Sequence, residues 1–185
     1  EPVPGLPVPL LPPGPVIPVA RVADMLEHPG LGFHADGGYD LYPDVRLVYW
    51  TGGNVFHHHQ DLNRLARVWQ RPETIVVHEP FWTATARRAD IVLPVTTPLE
   101  RDDLGGAETM LVAMVRAIEP VGEARHDHDV FAALADRLGF RPAFTEGRTA
   151  GEWIRHLYDR YRRTNPAAPA FDEFWAVGSV AHPVA

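Results

Sequence analysis

VRLVYWTGGNVFHHHQDLNRLARVWQRPETIVVHEPFWTATARRADIVLP, residues 45–94, carries the reading of the fold. Its first apolar run alternates and ends in Thr51-Gly52-Gly53-Asn54, and HHHQDLNRLARVWQ (57–70) follows with helical character. TIVVHEP (74–80) is a second apolar run, TATARR (83–88) a short connector, and ADIVLP (89–94) a third run. Strand, helix, strand, helix, strand at this spacing is the rhythm of a parallel sheet, and such sheets collect ligands at the carboxyl ends of their strands. The polar residues that can carry chemistry fall at those ends.

Working outward, residues 1–18 are crowded with proline, which fixes φ and removes a backbone donor, so an extended arm or interdomain connector is expected there. ARVADMLEH (20–28) has helical spacing and stops at Pro29-Gly30, and Asp36-Gly37-Gly38 suits a hairpin. TTPLERDDLGGAE (96–108) reads as polar and turn-rich, whereas ETMLVAMVRAIEP (108–120) favours a strand because Val112, Val115 and Ile118 are β-branched. Helices are expected at HDHDVFAALADRLGF, with Gly139 as its stop, at GEWIRHLYDRYRR, and briefly around 171–176. The expected fold is α/β, with a mainly parallel sheet, a Pro-rich N-terminal arm (1–18) and a single domain over 19–185 whose C-terminal part is helical.

The 185 residues are 45% hydrophobic, enough for a core, and begin with EPVPG instead of Met, which reads as a piece of a longer polypeptide. A formal charge of −7 argues against nucleic acid and anionic lipid as partners, so a phosphate-bearing ligand needs a local pocket of donors. With no Cys, disulfides, thiolate metal sites and a Cys nucleophile are excluded. No apolar run approaches the roughly 20 residues of a membrane span.

Gly52 and Gly53 lack Cβ atoms where a strand passes into a helix, so a pyrophosphate could approach the backbone; the other reading is a tight turn capped by Asn54. The pattern is not G-x-G-x-x-G, so a simple nicotinamide site is not supported. His57, His58 and His59, about 100° apart on a helix, cannot converge on one metal, leaving His58 and Gln60 as donors toward the strand-end crevice. His78 and Glu79 end the second strand, where a carboxylate takes ribose hydroxyls or guanine N–H groups; alternatively Glu79 with Thr83 caps the connector. Asp90 suits a turn. Arg101 is placed for a phosphate fork. In His126-Asp127-His128-Asp129, one aspartate is expected to cap the following helix while the other reaches a base edge. Trp153, His156, Tyr158 and Tyr161 recur as a packing face.

YWTGGNVFHHHQDLNRL, RPETIVVHEPFWTATARRADIVLP, TTPLERDDL and EPVGEARHDHDVFAALADRLG together resemble the bis(molybdopterin guanine dinucleotide) oxidoreductases, on the S- and N-oxide reductase branch. IPVARVADMLEHPG, AFTEGRTAGEWIRHLY and PAFDEFW extend the resemblance over nearly the whole chain. It implies a Rossmann-like three-layer sandwich, an internal domain holding one guanine dinucleotide arm of the molybdenum cofactor. Gly52, Gly53 and Asn54 would line that cofactor and His58 and Gln60 would donate to it. His78, Glu79 and Thr83 would hold the nucleotide, Arg101 would supply a cation and Asp129 would pair with guanine, with Asp127 the lesser substitute. Val55 stands where the family often has Pro. The parent enzyme is expected to remove oxygen from S- or N-oxides in the cytoplasm or periplasm, the cytoplasm favoured, with the metal ligand in its other domains and the isolated piece inactive. No catalytic residue or metal ligand is assigned within these residues. The competing class is a non-catalytic nucleotide-binding module for regulation or assembly.

Overall fold

Helix α1 (Val22–Glu27) buries Val22, Ala23 and Leu26, and a hairpin of β1 (Gly32–Ala35) and β2 (Gly38–Leu41) follows it. Then come β3 (Leu47–Thr51), α2 (Val55–His58), α3 (Leu62–Val68), β4 (Thr74–Glu79) and β5 (Ile91–Pro94). The computed structural model describes residues 15–35, 37–107 and 109–182, in two compact units that divide between Pro94 and Val95. Residues 1–14 of the expected arm, and Asp36 of the expected hairpin turn, lie outside the described residues. Among the described residues no helix is long and apolar enough to cross a membrane.

In the first unit β3, β4 and β5 form a parallel sheet in that order, with Val77 opposite Trp50 on one side and Val92 on the other. The face carrying Val48, Trp50, Ile75 and Val77 packs against Leu26 of α1, Leu65 and Val68 of α3, and Trp69. Burial of each such aliphatic side chain contributes about 1.5–3 kcal/mol, so this one face supplies most of the unit's cohesion. Arg71 donates to Leu26 O (3.0 Å) and Glu27 O (2.5 Å), satisfying carbonyls at the end of α1. Arg64 of α3 pairs with Asp24 (2.6 Å) and Glu27, fixing α1 against α3. The opposite sheet face leaves Leu47, Tyr49 and Ile91 exposed.

Residues 57–70, expected as one helical segment, are broken. Helix α2 stops at His58 because His59 turns extended (φ −73°, ψ 145°) and buries its ring, whose Nδ1 accepts from Asp61 N–H (3.4 Å). Asp61 then caps α3 by accepting from Arg64 N–H (2.9 Å). The connector TATARR contains only a 3₁₀ turn, Ala86–Arg88, with Thr83 Oγ1 accepting from Ala86 N–H (3.1 Å). Asp90 is spent on a strand start, accepting from Ile75 N–H at 2.8 Å.

The second unit holds β6 (Asp103–Ala107), β7 (Met110–Met114), α4 (Asp127–Arg137), α5 (Arg141–Thr145), α6 (Ala150–Thr164), α7 (Phe171–Val177) and β8 (Ser179–Ala181). Its C-terminal part is therefore helical as expected, but it also contains an antiparallel sheet ordered β6-β7-β8. The turn-rich reading of 96–108 fails at β6, because pairing with β7 overrides the loop preference of Asp and Gly. Gly106 is required there: a Cβ would lie 2.3 Å from Met110 O on the partner strand. Leu111 and Ala113 of β7 pack with Tyr158, Tyr161 and Phe174. Tyr158 stacks on Phe174 (4.2 Å between centroids, 12°) and donates its hydroxyl proton to Pro169 O (3.0 Å). Helix α6 opens with a Thr149–Glu152 capping box and buries Trp153, Ile154, Leu157, Tyr158 and Tyr161 on one face.

Candidate cofactor site

In the first unit the candidate residues collect where the parallel strands end. Gly52 (φ +75°) and Gly53 (φ +69°) follow Thr51 of β3 in left-handed conformations that side chains rarely adopt. A Cβ at either would meet nothing within 4 Å, so the glycines are required for the turn and leave bare backbone facing open space. Trp50 Nε1–H donates to Gly53 O (2.9 Å), locking the turn to β3. Asn54 does not cap α2 with its side chain. Its Oδ1 instead accepts the hydroxyl proton of Thr85 (2.5 Å), while its backbone carbonyl accepts from His57 and His58 N–H.

His58 is exposed at the last position of α2, and Gln60 is exposed in the break after it, so neither sits at a helix start. Helix α2 is only four residues long, and its Phe56 N–H is already taken by Thr85 Oγ1 (3.3 Å). The backbone behind the glycines therefore offers fewer free N–H donors than a strand-to-helix turn suggests. His78 is buried, its Nε2 sharing a hydrogen bond with Tyr49 Oη at 2.8 Å across the β3–β4 pair. Glu79 is half-buried at the last position of β4, and Thr83 Oγ1–H donates to its Oε1 at 3.0 Å. These bonds match the capping alternative: Thr83 caps the connector and its hydroxyl proton is held by the Glu79 carboxylate.

In the second unit Arg101 and Asp129 line one pocket of about 390 Å³. The loop carrying Arg101 is held by Glu100, whose carboxylate accepts from Thr97 N–H and Oγ1–H and from Val121 N–H, each at 2.7 Å. Those bonds, then the Arg101 charge, hold the Glu100 carboxyl below its ordinary range. Arg101 is mostly buried and donates to Thr96 O (2.6 Å) and to Asp103 Oδ2 (3.1 Å), which fixes the fork beside the pocket. Asp129, in the first turn of α4, is exposed, with His128 Nδ1 at 3.4 Å from Oδ1. The first unit has a larger hollow of about 590 Å³, lined by Trp69, Arg87 and Asp90 at the amino ends of β4 and β5, the opposite strand ends from Glu79.

The expected aspartate cap is corrected here: His126 caps α4, its Nδ1 accepting from His128 N–H at 3.0 Å. That acceptor requires a neutral ring, and burial, then the Arg101 charge, lowers the His126 pKa. A histidine whose folded pKa is depressed adds stability above its unfolded value near 6.5, and loses it as pH falls toward the folded one. Urea-midpoint measurements between pH 7 and pH 5 are therefore expected to show a decline that His126→Asn reduces, since Asn caps without titrating.

Two residues escaped the sequence reading. Thr96 is buried in the lining of this pocket, and its Oγ1 has no hydrogen-bond partner among the described residues. Thr85 is wholly buried and joins the Gly-Gly-Asn turn to the β4–β5 connector. Its place in TATARR, one residue from the 3₁₀ turn, was the sole signal. Among the described residues no group of three or more His, Cys, Asp or Glu could hold a metal.

The sequence profile of the molybdopterin oxidoreductases matches residues 35–137, more than half of the chain and spanning both groups of residues. The chain belongs to the molybdopterin oxidoreductase family. Within that family it is similar to biotin sulfoxide reductase of Cereibacter sphaeroides, 53% identical over 175 residues, covering 91% of this chain and 24% of the relative. It is 50% identical over 177 residues to the dimethyl sulfoxide/trimethylamine N-oxide reductase of Rhodobacter capsulatus (91% and 22%). Against the trimethylamine-N-oxide reductase of Haemophilus influenzae it is 45% identical over 167 residues (86% and 20%). The chain thus spans a quarter or less of these relatives' length. Acetylene hydratase from Pelobacter acetylenicus shares the fold, with a TM-score of 0.58 at 20% identity over 77% of this chain and 19% of that one.

Proposed function

We propose that this chain is the part of a molybdenum S- or N-oxide reductase that holds one guanine dinucleotide arm of a bis(molybdopterin guanine dinucleotide) cofactor. The observation that carries the reading is the donor and acceptor set at the strand ends. Bare Gly52-Gly53 backbone and the Asn54 amide suit phosphate oxygens, the Glu79 carboxylate suits ribose hydroxyls or guanine N–H groups, and Arg101 and Asp129 offer the same complementary pair beside their own pocket. These residues fit the group; Thr83 steadies the Glu79 carboxylate, His78 ties β4 to β3 through Tyr49, and His58 and Gln60 are exposed donors at and after the end of α2. When bound, the molybdenum supplies the two-electron redox chemistry for removing oxygen from the substrate. The share of this chain is placement: Arg101, fixed by Thr96 O and Asp103, keeps a cation where phosphate charge needs compensation, and the Glu100 carboxylate keeps that loop from moving.

The sheet is read as the middle of a Rossmann-like three-layer sandwich. Parallel sheets are covered on both faces, and the face exposing Leu47, Tyr49 and Ile91 suits a further layer from elsewhere in the parent polypeptide. The test is analysis of the purified full-length parent. It is expected to carry molybdenum, to release GMP on acid hydrolysis, and to reduce methionine or biotin sulfoxide. A correctly matured parent free of molybdenum and of GMP would refute the assignment, and tight binding of GDP or ATP by this chain alone would favour a regulatory module instead.

A further inference from the structure

Thr85 touches nothing at the outer rim, yet its hydroxyl sits between the two groups that shape the Gly-Gly-Asn turn. It is fully buried, 31 residues beyond Asn54, and Oγ1 is 2.5 Å from Asn54 Oδ1 and 3.3 Å from Phe56 N. The proton count fixes the direction of both bonds. Phe56 N–H can only donate, so Oγ1 accepts from it, and the hydroxyl proton then needs an acceptor of its own. If the Asn54 amide were reversed, its NH₂ would face Oγ1 as a second donor and the buried hydroxyl proton would be stranded. The oxygen of Asn54 is therefore turned inward. Its Nδ2, with two protons and no partner among the described residues, is left for the half-exposed side of the strand-end turn.

We propose that Thr85 is a positioning residue that commits Asn54 to presenting a hydrogen-bond donor, not an acceptor, to an oxygen-rich ligand at the ends of β3 and β4. This rests on the cofactor reading above and deepens it: the ligand atom opposite Asn54 is an acceptor, such as a phosphate or carbonyl oxygen. A simple packing role for Thr85 makes the opposite ranking of substitutions, because valine preserves the buried volume and serine does not.

The experiment uses the full-length parent, with GMP released per chain and the thermal unfolding midpoint measured on the same samples. Thr85→Val removes the hydroxyl and is expected to lower GMP content about tenfold, the effect of one lost hydrogen bond to a charged group. Thr85→Ser restores it, although it loses a buried methyl and melts lower than the wild type. Asn54→Asp keeps an acceptor for Thr85 but has no proton to present, so it is expected to lose the nucleotide with an unchanged midpoint. Asn54→Asp carries the test if Thr85→Val fails to fold. Wild-type GMP content in Asn54→Asp, or Thr85→Val retaining more nucleotide than Thr85→Ser, overturns the proposal while leaving the cofactor assignment standing. A wild-type parent that releases no GMP overturns both.

Discussion

Trp69→Ala is expected to lower stability by about 3–5 kcal/mol, in the range seen for emptying a large buried aromatic site. Trp69 is almost wholly buried, and it meets Trp50 and Phe56 edge-on, with centroids 5.8 and 5.5 Å away. Those two rings flank the Gly-Gly-Asn turn. Trp50 holds Gly53 O through its indole N–H, and Phe56 is the residue whose N–H binds Thr85. Emptying the site therefore releases β3, α2 and the turn together, and nucleotide content of the full-length parent should fall along with stability. Trp69→Phe separates packing from polarity. The Trp69 Nε1–H is buried with no hydrogen-bond partner among the described residues, so its removal relieves a desolvation cost that offsets part of the lost volume. The expected loss is no more than about 1.5 kcal/mol, as for other near-conservative core exchanges. Urea unfolding followed by circular dichroism distinguishes the pair: equal losses for Phe and Ala would mean that Trp69 is not the keystone between the strand and the turn.

The same neighbourhood shows which features were legible in the sequence and which were not. TIVVHE was readable because a strand inside a parallel sheet is apolar on both faces, and its run of branched residues has no helical period. The helices at 127–137 and 150–164 were readable from apolar spacing, reinforced for the first by Gly139 as its stop. Asp103–Ala107 was not, because Asp and Gly speak for a loop and only the non-local partner Met110–Met114 makes the segment a strand. His59 was hidden for the converse reason: a third histidine in a polar run gives no sign that its ring turns inward and ends α2. Asn54 and His126 show the limit most directly. Both lie beside helix starts, yet the Asn side chain is claimed by a threonine 31 residues away, while a histidine takes the capping position that aspartate was expected to fill. Cap preferences describe local competition: at His126 a ring nitrogen won it over the neighbouring aspartates, and at Asn54 a distant partner decided it.

Glu79→Ala and Asp129→Ala in the full-length parent are expected to reduce molybdenum and GMP content by roughly ten- to a hundredfold each, the scale of a charged hydrogen bond at 1.5–3 kcal/mol. They should do so without unfolding the protein, and the reasons differ. Asp129 is exposed and, among the described residues, its carboxylate meets only the His128 ring at 3.4 Å, so its loss falls within the half kcal/mol or so typical of surface changes. Glu79 accepts from Thr83 Oγ1–H, but Thr83 keeps its bond to Ala86 N–H when the carboxylate is gone, so the connector remains capped. Glu79→Gln sharpens the test, since it retains an acceptor for Thr83 while losing the charge and adding donors. If the carboxylate pairs with guanine N–H groups or ribose hydroxyls, Gln recovers part of the nucleotide content but not all of it. Unchanged molybdenum and GMP in both alanine variants would reduce Glu79 to a brace for the connector and Asp129 to a favourable charge at the start of α4. The cofactor assignment would then rest on Arg101, the Asn54 amide and the bare Gly52-Gly53 backbone, a set that recognises phosphate but does not distinguish guanine from any other base.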